Sequence, residues 1–396
     1  MAAPGSTPYA PSVLIAGGGT AGHLMPGLAV ASALTERGWP AAGIHFVGSA
    51  RGIDAQIVPD AGFGVTLLGG RGLTARRVNL TNARAAASLA WATLRGIALV
   101  GRRRPAAVLS LGGYAALPAT VGAVIWRVPL VIAEQNAVAS ATNRLLGRFA
   151  RAAAVPVRGT GLHREIVTGN PVRPAVVEAA LGADDARAGL GWPADATVVV
   201  VFGGSQGSLR INTATWTALP SLRDRDGLFI YHVVGKRDWV ERPPSPPPRP
   251  DGSRVRDWYQ AVPFDEQLPA ALAAADLAIC RAGASTVAEL SVIGTPAVLV
   301  PLPIATNDHQ RRNAEELAAT GAARVVADAE FDAERMLAEL EQMLGSQRLP
   351  RPERAPESTF GRQDAAQRVA QLVIDHSSAV PGTVVPADRS SRKPAT

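Results

Sequence analysis

A single cysteine, Cys280, stands in 396 residues, so an intramolecular disulfide is excluded and a cysteine-based zinc site is not expected. No stretch of 18 uninterrupted apolar residues occurs, which leaves no candidate membrane span. The segment MAAPGSTPYAPS has no Lys or Arg ahead of the short apolar run VLIA, so no signal peptide is expected there and a reducing cytoplasm is the expected setting. Lysine is nearly absent, at Lys236 and Lys393 only, and arginine carries the basic charge. Acid is scarce in the first 160 residues, where Glu36, Asp54, Asp60 and Glu134 face 15 arginines. Eight of these, Arg71, Arg76, Arg77, Arg84, Arg95, Arg102, Arg103 and Arg104, lie between residues 69 and 104 without one acid. Such a patch seeks an anionic partner. A pI near 10.4 admits nucleic acid, but no interleaved aromatics or reading motif accompany the arginines, and no nucleic-acid partner is expected.

What is present fills cores. Apolar residues make up 47% and charged residues 18%, a folded composition, and the length points to two domains. Buried strands alternate with helices: SVLIAG (12 to 17), a helix from about Pro26 to Arg37, GIHFVG (43 to 48), then AAVLSLG and VPLVIAEQ. The rhythm restarts at ATVVVVFGG (196 to 204) and runs through GLFIYHVVG, ADLAICRAG and TPAVLVP. Continuous apolar strands separated by helices predict parallel sheets covered on both faces. The expected fold class is therefore α/β, with two Rossmann-like domains facing across a cleft. The expected bounds are 8–168 and 169–360, with the join near GNPVRP (169 to 174). A helix at 361–376 is expected to pack back on the first domain, followed by a disordered tail at 377–396. RPPSPPPRP (242 to 250) reads as an extended surface loop.

Each half opens with a strand running into a glycine cluster and then a helix: VLIAGGGTAGH (13 to 23) and VVVFGGSQGS (199 to 208). Glycines there let the backbone turn tightly and let N–H groups at the helix start face an anion, most often a phosphate. The first cluster formally matches G-x-G-x-x-G at Gly17, Gly19 and Gly22. A dinucleotide site also wants an acid at the end of the second strand, and that strand runs His45, Phe46, Val47, Gly48, Ser49. The acid is missing, so only the phosphate-cradling part of the motif is kept. Two such turns predict two phosphorylated ligands.

Seven motifs then stand in order: GGGTAGHLMPGLAVA (17 to 31), LGGYAALPA (111 to 119), AEQNAVASATN (133 to 143), GNPVR (169 to 173), GGSQG (203 to 207), CRAGASTVAEL (280 to 290) and DHQRRNA (308 to 314). Together they resemble the MurG family of GT-B glycosyltransferases over residues 12 to about 375. The resemblance implies transfer of N-acetylglucosamine from UDP-N-acetylglucosamine to undecaprenyl-pyrophosphoryl-MurNAc-pentapeptide (lipid I), giving lipid II, at the cytoplasmic face of the cell membrane. It implies an anionic membrane surface and other cell-wall synthesis proteins as further partners. Two departures stand out. The family's second glycine before the histidine is Ala21 here, and the usual histidine before EQN is Ala133, which removes one expected polar contact.

On this resemblance the donor belongs to the C-terminal domain. Ser205 and Gln206 would bind its diphosphate, and Glu289 its ribose hydroxyls, since a carboxylate accepts from two neighbouring donors. Ala284, Ser285, Thr286, Val287 and Ala288 form the start of the same helix. Gln310 and Asn313 would contact the sugar, and Phe264 and Asp265 lie near the uracil. In the N-terminal domain Thr20, Ala21 and Gly22 would meet the acceptor's diphosphate. His23 is the expected general base, with Glu134 as the competing one. Asn136 and Arg173 are expected to reach both substrates, Arg173 by a forked contact to leaving-group charge. No cofactor and no catalytic metal are expected. Two alternatives stay open within the fold: a UDP-N-acetylglucosamine 2-epimerase, and a lipid glycosyltransferase with another acceptor. Trp91, Leu94, Ile97 and Leu99, among the arginines, read equally as core or as a face against lipid.

Overall fold

The computed structural model describes residues 12–70, 80–183, 185–204, 206–303, 308–345 and 360–378. The chain divides into two compact units. The first takes the described residues up to Gln135, then Ala139–Val167, then the last helix from Ala366; the second takes Asn136–Val138 and Thr168–Ala365.

In the first unit the strands are β1 (Val13–Ala16), β2 (Ile44–Ser49), β3 (Gly64–Leu68), β4 (Ala107–Ser110), β5 (Leu130–Ala133), β6 (Ala152–Val155) and β7 (Glu165–Val167). They form one sheet in the order β3-β2-β1-β4-β5-β6-β7. Ile15 lies opposite Phe46 on one side and Leu109 on the other. Successive side chains point to opposite faces. Val13 and Ile15 join one core with Leu24, Val30 and Leu34 of the helix Ala21–Glu36 and with Val369, Ala370 and Val373 of the last helix, Ala365–His376. Leu14 and Val108 join the other core with Ala92 and Val100 of the helix Leu80–Arg103 and Ala116 and Ala119 of the helix Gly113–Trp126.

The first helix starts at Ala21, five residues before the proline at which the sequence pattern began it. Pro26 sits inside the helix, where its ring removes the single backbone bond back to Gly22. Gly96 faces Pro118 so closely that a Cβ would lie 2.5 Å from its backbone, which brings the helices Leu80–Arg103 and Gly113–Trp126 together. This packing sorts the apolar residues among the arginines. Ala85, Ala92 and Val100 are buried, whereas Trp91 is 66% and Leu94 59% exposed. Ile97 and Leu99 are half-buried. Trp126, 39% exposed, donates its indole N–H to the Ile97 carbonyl and lies under the Arg104 guanidinium at 4.4 Å. Arg84, Arg95, Arg102 and Arg104 are exposed and Arg103 is half-buried. Arg71, Arg76 and Arg77 lie outside the described residues.

The second unit repeats the plan with β8 (Thr197–Phe202), β9 (Leu228–Val233), β10 (Tyr259–Val262), β11 (Leu277–Cys280), β12 (Ala297–Leu299) and β13 (Ala323–Val325), in the order β10-β9-β8-β11-β12-β13. Val198, Val199, Val200 and Val201 are all fully buried, as a strand covered on both faces requires. Cys280 is buried in β11, and burial pushes its thiol pKa up, so it is a small core residue. The segment 242–250 forms neither helix nor strand, and its residues are exposed apart from half-buried Pro246 and buried Arg249. Arg249 donates to the carbonyls of Leu222, Arg223 and Arg225 at the end of the helix Leu209–Arg223, and to those of Leu228 and Val255. A cation suits the carbonyl end of a helix, so this arginine ties the proline-rich segment down.

Candidate active site

In both sheets the strand order reverses beside the first strand of the unit, between β1 and β4 and between β8 and β11. Loops leaving the carboxyl ends of such neighbours diverge and open a crevice for a ligand. The two glycine clusters follow β1 and β8.

In the first unit the turn Gly17–Thr20 enters the helix at Ala21. The Gly17 N–H is taken by the Val47 carbonyl and the Gly19 N–H by the Asp54 carboxylate. Thr20 stands at the cap position, but its hydroxyl makes no capping bond; it meets His23 Nδ1 at 3.2 Å. The amides of Ala21 and Gly22 open the helix, where no intrahelical carbonyl can reach them. Thr20, Ala21, Gly22 and His23 are thus gathered at one helix mouth able to hold an anion. His23 Nε2 faces the turn after β4, 3.5 Å from the position a Cβ would take on Gly113. Burial lowers the His23 pKa, and the Glu134 and Asp54 carboxylates pull it back up. At neutral pH the ring is unprotonated and able to accept a proton.

Glu134 follows β5 and is 3% exposed. Its Oε2 accepts from the Ser140 N–H and from Asn143 Nδ2, each at 2.9 Å, and its Oε1 from the Gln135 N–H at 3.2 Å. Asn143 Oδ1 in turn accepts from the Ser110 hydroxyl. The carboxylate therefore fixes the loop between β5 and the helix Ala141–Leu146. Ala133 ends β5 within the apolar core.

In the second unit Ser205 lies outside the described residues. Gln206 is exposed beside Gly207, and a Cβ on Gly207 would lie 2.4 Å from the Val234 carbonyl. Ser208 caps the helix Leu209–Arg223 through its hydroxyl. The helix Ala284–Ile293 has glycine at its cap and no side-chain cap bond, leaving the amides of Ala284, Ser285 and Thr286 without intrahelical acceptors. Among the described residues the buried Ser285 hydroxyl has no protein partner. One turn on, Glu289 pairs with Arg173 at 3.4 Å. Burial raises its pKa, and Arg173 holds it back. Val287 and Ala288 are fully buried and support the helix rather than line a site.

Several other expected contacts have partners within the protein. Asn313 is fully buried; its Oδ1 accepts from the Ala137 N–H and its amide donates to Asn136 Oδ1 and the Ala282 carbonyl. Asn136 and Asn313 so tie Asn136–Val138 into the second unit. Gln310 Oε1 accepts from the Leu302 N–H, which leaves its amide hydrogens for a ligand. Phe264 is exposed under Lys236, and Asp265 accepts from the Tyr231 hydroxyl and the Gln267 N–H. Sequence reasoning missed Asp54. The available signal was scarcity: of four acids in the first 160 residues, Asp54 and Glu134 are buried while Glu36 and Asp60 are exposed. Among the described residues no group of three His, Cys, Asp or Glu is placed to hold a metal ion.

Residues 13–155 match the glycosyltransferase family 28 N-terminal domain and residues 198–369 its C-terminal domain. A UDP-N-acetylglucosamine--N-acetylmuramyl-(pentapeptide) pyrophosphoryl-undecaprenol N-acetylglucosamine transferase of Alkalilimnicola ehrlichii is 39% identical over 373 residues, covering 92% of this chain and 99% of that one. Among solved structures, Acinetobacter baumannii MurG aligns with a TM-score of 0.69 at 26% identity, covering 92% of this chain and 99% of that one. The UDP-GlcNAc 2-epimerase of Neisseria meningitidis aligns at 0.62 with 12% identity, covering 92% and 100%, a likeness of fold alone. Two family 28 domains in order, each on its own parallel sheet, make the fold GT-B, and the chain belongs to glycosyltransferase family 28 and, within it, to the MurG family.

Proposed function

We propose that the protein moves N-acetylglucosamine from UDP-N-acetylglucosamine to the 4-hydroxyl of MurNAc in undecaprenyl-pyrophosphoryl-MurNAc-pentapeptide, with inversion. The observation that carries this reading is the doubled helix mouth, a glycine turn and uncapped amides at the reversal point of each sheet. The relatives' names supply the sugar and the lipid. In the second unit the amides of Ala284, Ser285 and Thr286 and the Ser285 hydroxyl take donor oxygens, Glu289 takes the ribose hydroxyls, and Arg173 meets charge on the departing diphosphate. In the first unit Ala21 and Gly22 hold the acceptor's diphosphate, and His23 takes the proton from the attacking hydroxyl as its oxygen bonds to the anomeric carbon and UDP leaves. Glu134, with both oxygens bonded inside the protein, is the lesser candidate for the base.

The same reading puts the enzyme at a membrane surface, since the acceptor's lipid stays in the bilayer. No helix among the described residues is long and apolar enough to cross a membrane. Exposed Trp91, Leu94 and Trp126 beside Arg84, Arg95, Arg102 and Arg104 suit docking on anionic headgroups instead. The deciding experiment is transfer of labelled sugar from UDP-N-acetylglucosamine to a short-chain lipid I analogue. Labelled disaccharide product is expected. Conversion of the donor sugar to its 2-epimer without any acceptor would overturn the reading in favour of the epimerase.

A further inference from the structure

Asp54 has no part in the proposed chemistry, yet it is 1% exposed at the first position of the helix Asp54–Asp60. Among the described residues no cation pairs with it. Its charge is met by backbone N–H groups: Ser49 at 2.6 Å to Oδ2, and Gly19 at 2.9 Å to each oxygen. A buried carboxylate is tolerated when several amides donate to it. The fit leaves no slack. Gly18 has φ +148, and a Cβ on it would lie 2.4 Å from Asp54 Oδ2; one on Gly48 would lie 2.6 Å from the same oxygen. Gly19 is also held from the far side, where a Cβ on Gly52 would lie 2.4 Å from its Cα. The Tyr114 hydroxyl bonds the Ser49 hydroxyl at 3.0 Å and closes the remaining side.

We propose that Asp54 is the positioning residue of the first glycine turn: by taking the Gly19 amide it fixes which N–H groups are left for the acceptor's diphosphate. This rests on the function proposed above. With Gly17 bonded to Val47 and Gly19 to Asp54, an anion is directed to Ala21 and Gly22 at the helix mouth, next to His23. The Glu134 and Asp54 carboxylates offset part of the lowering of the His23 pKa by burial. Each therefore favours the imidazolium formed as the hydroxyl loses its proton. The same bond explains why the G-x-G-x-x-G match is no dinucleotide loop, since its middle glycine amide is already occupied.

The test is Asp54→Asn in the full chain, with exposed Asp60→Asn on the same helix as control. Three readings are taken: the NMR titration of His23 without substrate, acceptor kcat/KM against pH, and donor KM. Asp54→Asn is expected to move the His23 midpoint and the acid limb of kcat/KM to lower pH, to cut acceptor kcat/KM by up to about 100-fold, and to leave donor KM unchanged. Asp60→Asn is expected to change none of these. An unchanged acceptor kcat/KM, or loss of activity only in step with loss of folded protein, would overturn the proposal. Hydrogen exchange at the Gly19 amide needs no turnover, so its loss of protection in Asp54→Asn beside a wild-type rate for His23→Ala would sink the base assignment and leave the positioning role standing. Should Asp54→Asn not fold, hydrogen exchange of the wild-type chain decides: a Gly19 amide as protected as the sheet supports the role, and an unprotected one refutes it.

Discussion

Acid should weaken the second unit through one residue, His232. It lies fully buried in β9, with Nδ1 on the Tyr259 hydroxyl and Nε2 on Asn212 Oδ1, each at 3.0 Å. Burial pushes its pKa down to about 3, against 6.5 in an unfolded chain. The unfolded state therefore binds more protons between these values. Stability is full above pH 6.5, falls as pH drops, and stops falling below about pH 3, where both states carry the proton. At pH 5 the difference is about 2 kcal/mol, or roughly a 30-fold larger opening constant. The assay is hydrogen exchange of β9 amides in the whole chain at pH 8 and pH 5, corrected for intrinsic rates, which follows this unit by itself. Protection should fall about 30-fold more in the wild type than in His232→Gln, because the comparison cancels every other titrating group. An equal fall in both proteins would refute the assignment of a buried neutral imidazole. The effect would reach the site, since Asn212 also donates to Asp238, and Asp238 Oδ2 lies 2.8 Å from where a Cβ on Gly207 would stand.

Glu289→Ala should raise donor Kd by about 1.5 to 3 kcal/mol per lost charge-assisted bond and leave acceptor KM alone; unchanged donor affinity by calorimetry would remove Glu289 from the ribose site. His23→Ala should lower kcat on the order of 10² to 10⁴-fold with donor affinity kept; wild-type turnover would hand the proton to Glu134 or to solvent. Changing Arg102, Arg103 and Arg104 to Glu should abolish sedimentation with anionic vesicles while sparing turnover on a soluble acceptor, whereas equal binding to neutral vesicles would contradict the electrostatic docking. Arg249→Met should destabilise the second unit by about 3 kcal/mol, because the buried bonds to the Leu222, Leu228 and Val255 carbonyls are lost; a denaturation midpoint within error of the wild type would show the proline-rich segment holds without it.

The sheets were legible because parallel strands buried on both faces are uniformly apolar, as in Val198–Val201. The glycine turns announced themselves for a related reason: close backbone packing, as at Gly207 against Val234, admits no other residue. Side-chain commitments were not legible. Asn313 and an amide free to touch sugar look alike in sequence, and only the structure shows Asn313 spent on Ala137, Asn136 and Ala282. Trp91 and Val100 share one helix and differ in fate because Gly96 turns a single stripe toward Pro118. Asp54 escaped notice because its partners are backbone amides, which carry no residue signature.

The last helix has a consequence for how the protein is made. Val369, Ala370 and Val373 belong to the core of the first unit, but a ribosome reaches them only after the whole second unit has been synthesised. During synthesis the first sheet must wait with one apolar face incompletely covered, exposing Leu34 and Ile44 neighbours to chaperones or to other nascent chains. The second unit, whose residues are contiguous apart from Asn136–Val138, has no such wait. A stop codon shortly after Phe360 would therefore damage the unit synthesised first, and the fault would lie more than 300 residues upstream of the lesion, in the core that holds Val13 and Ile44.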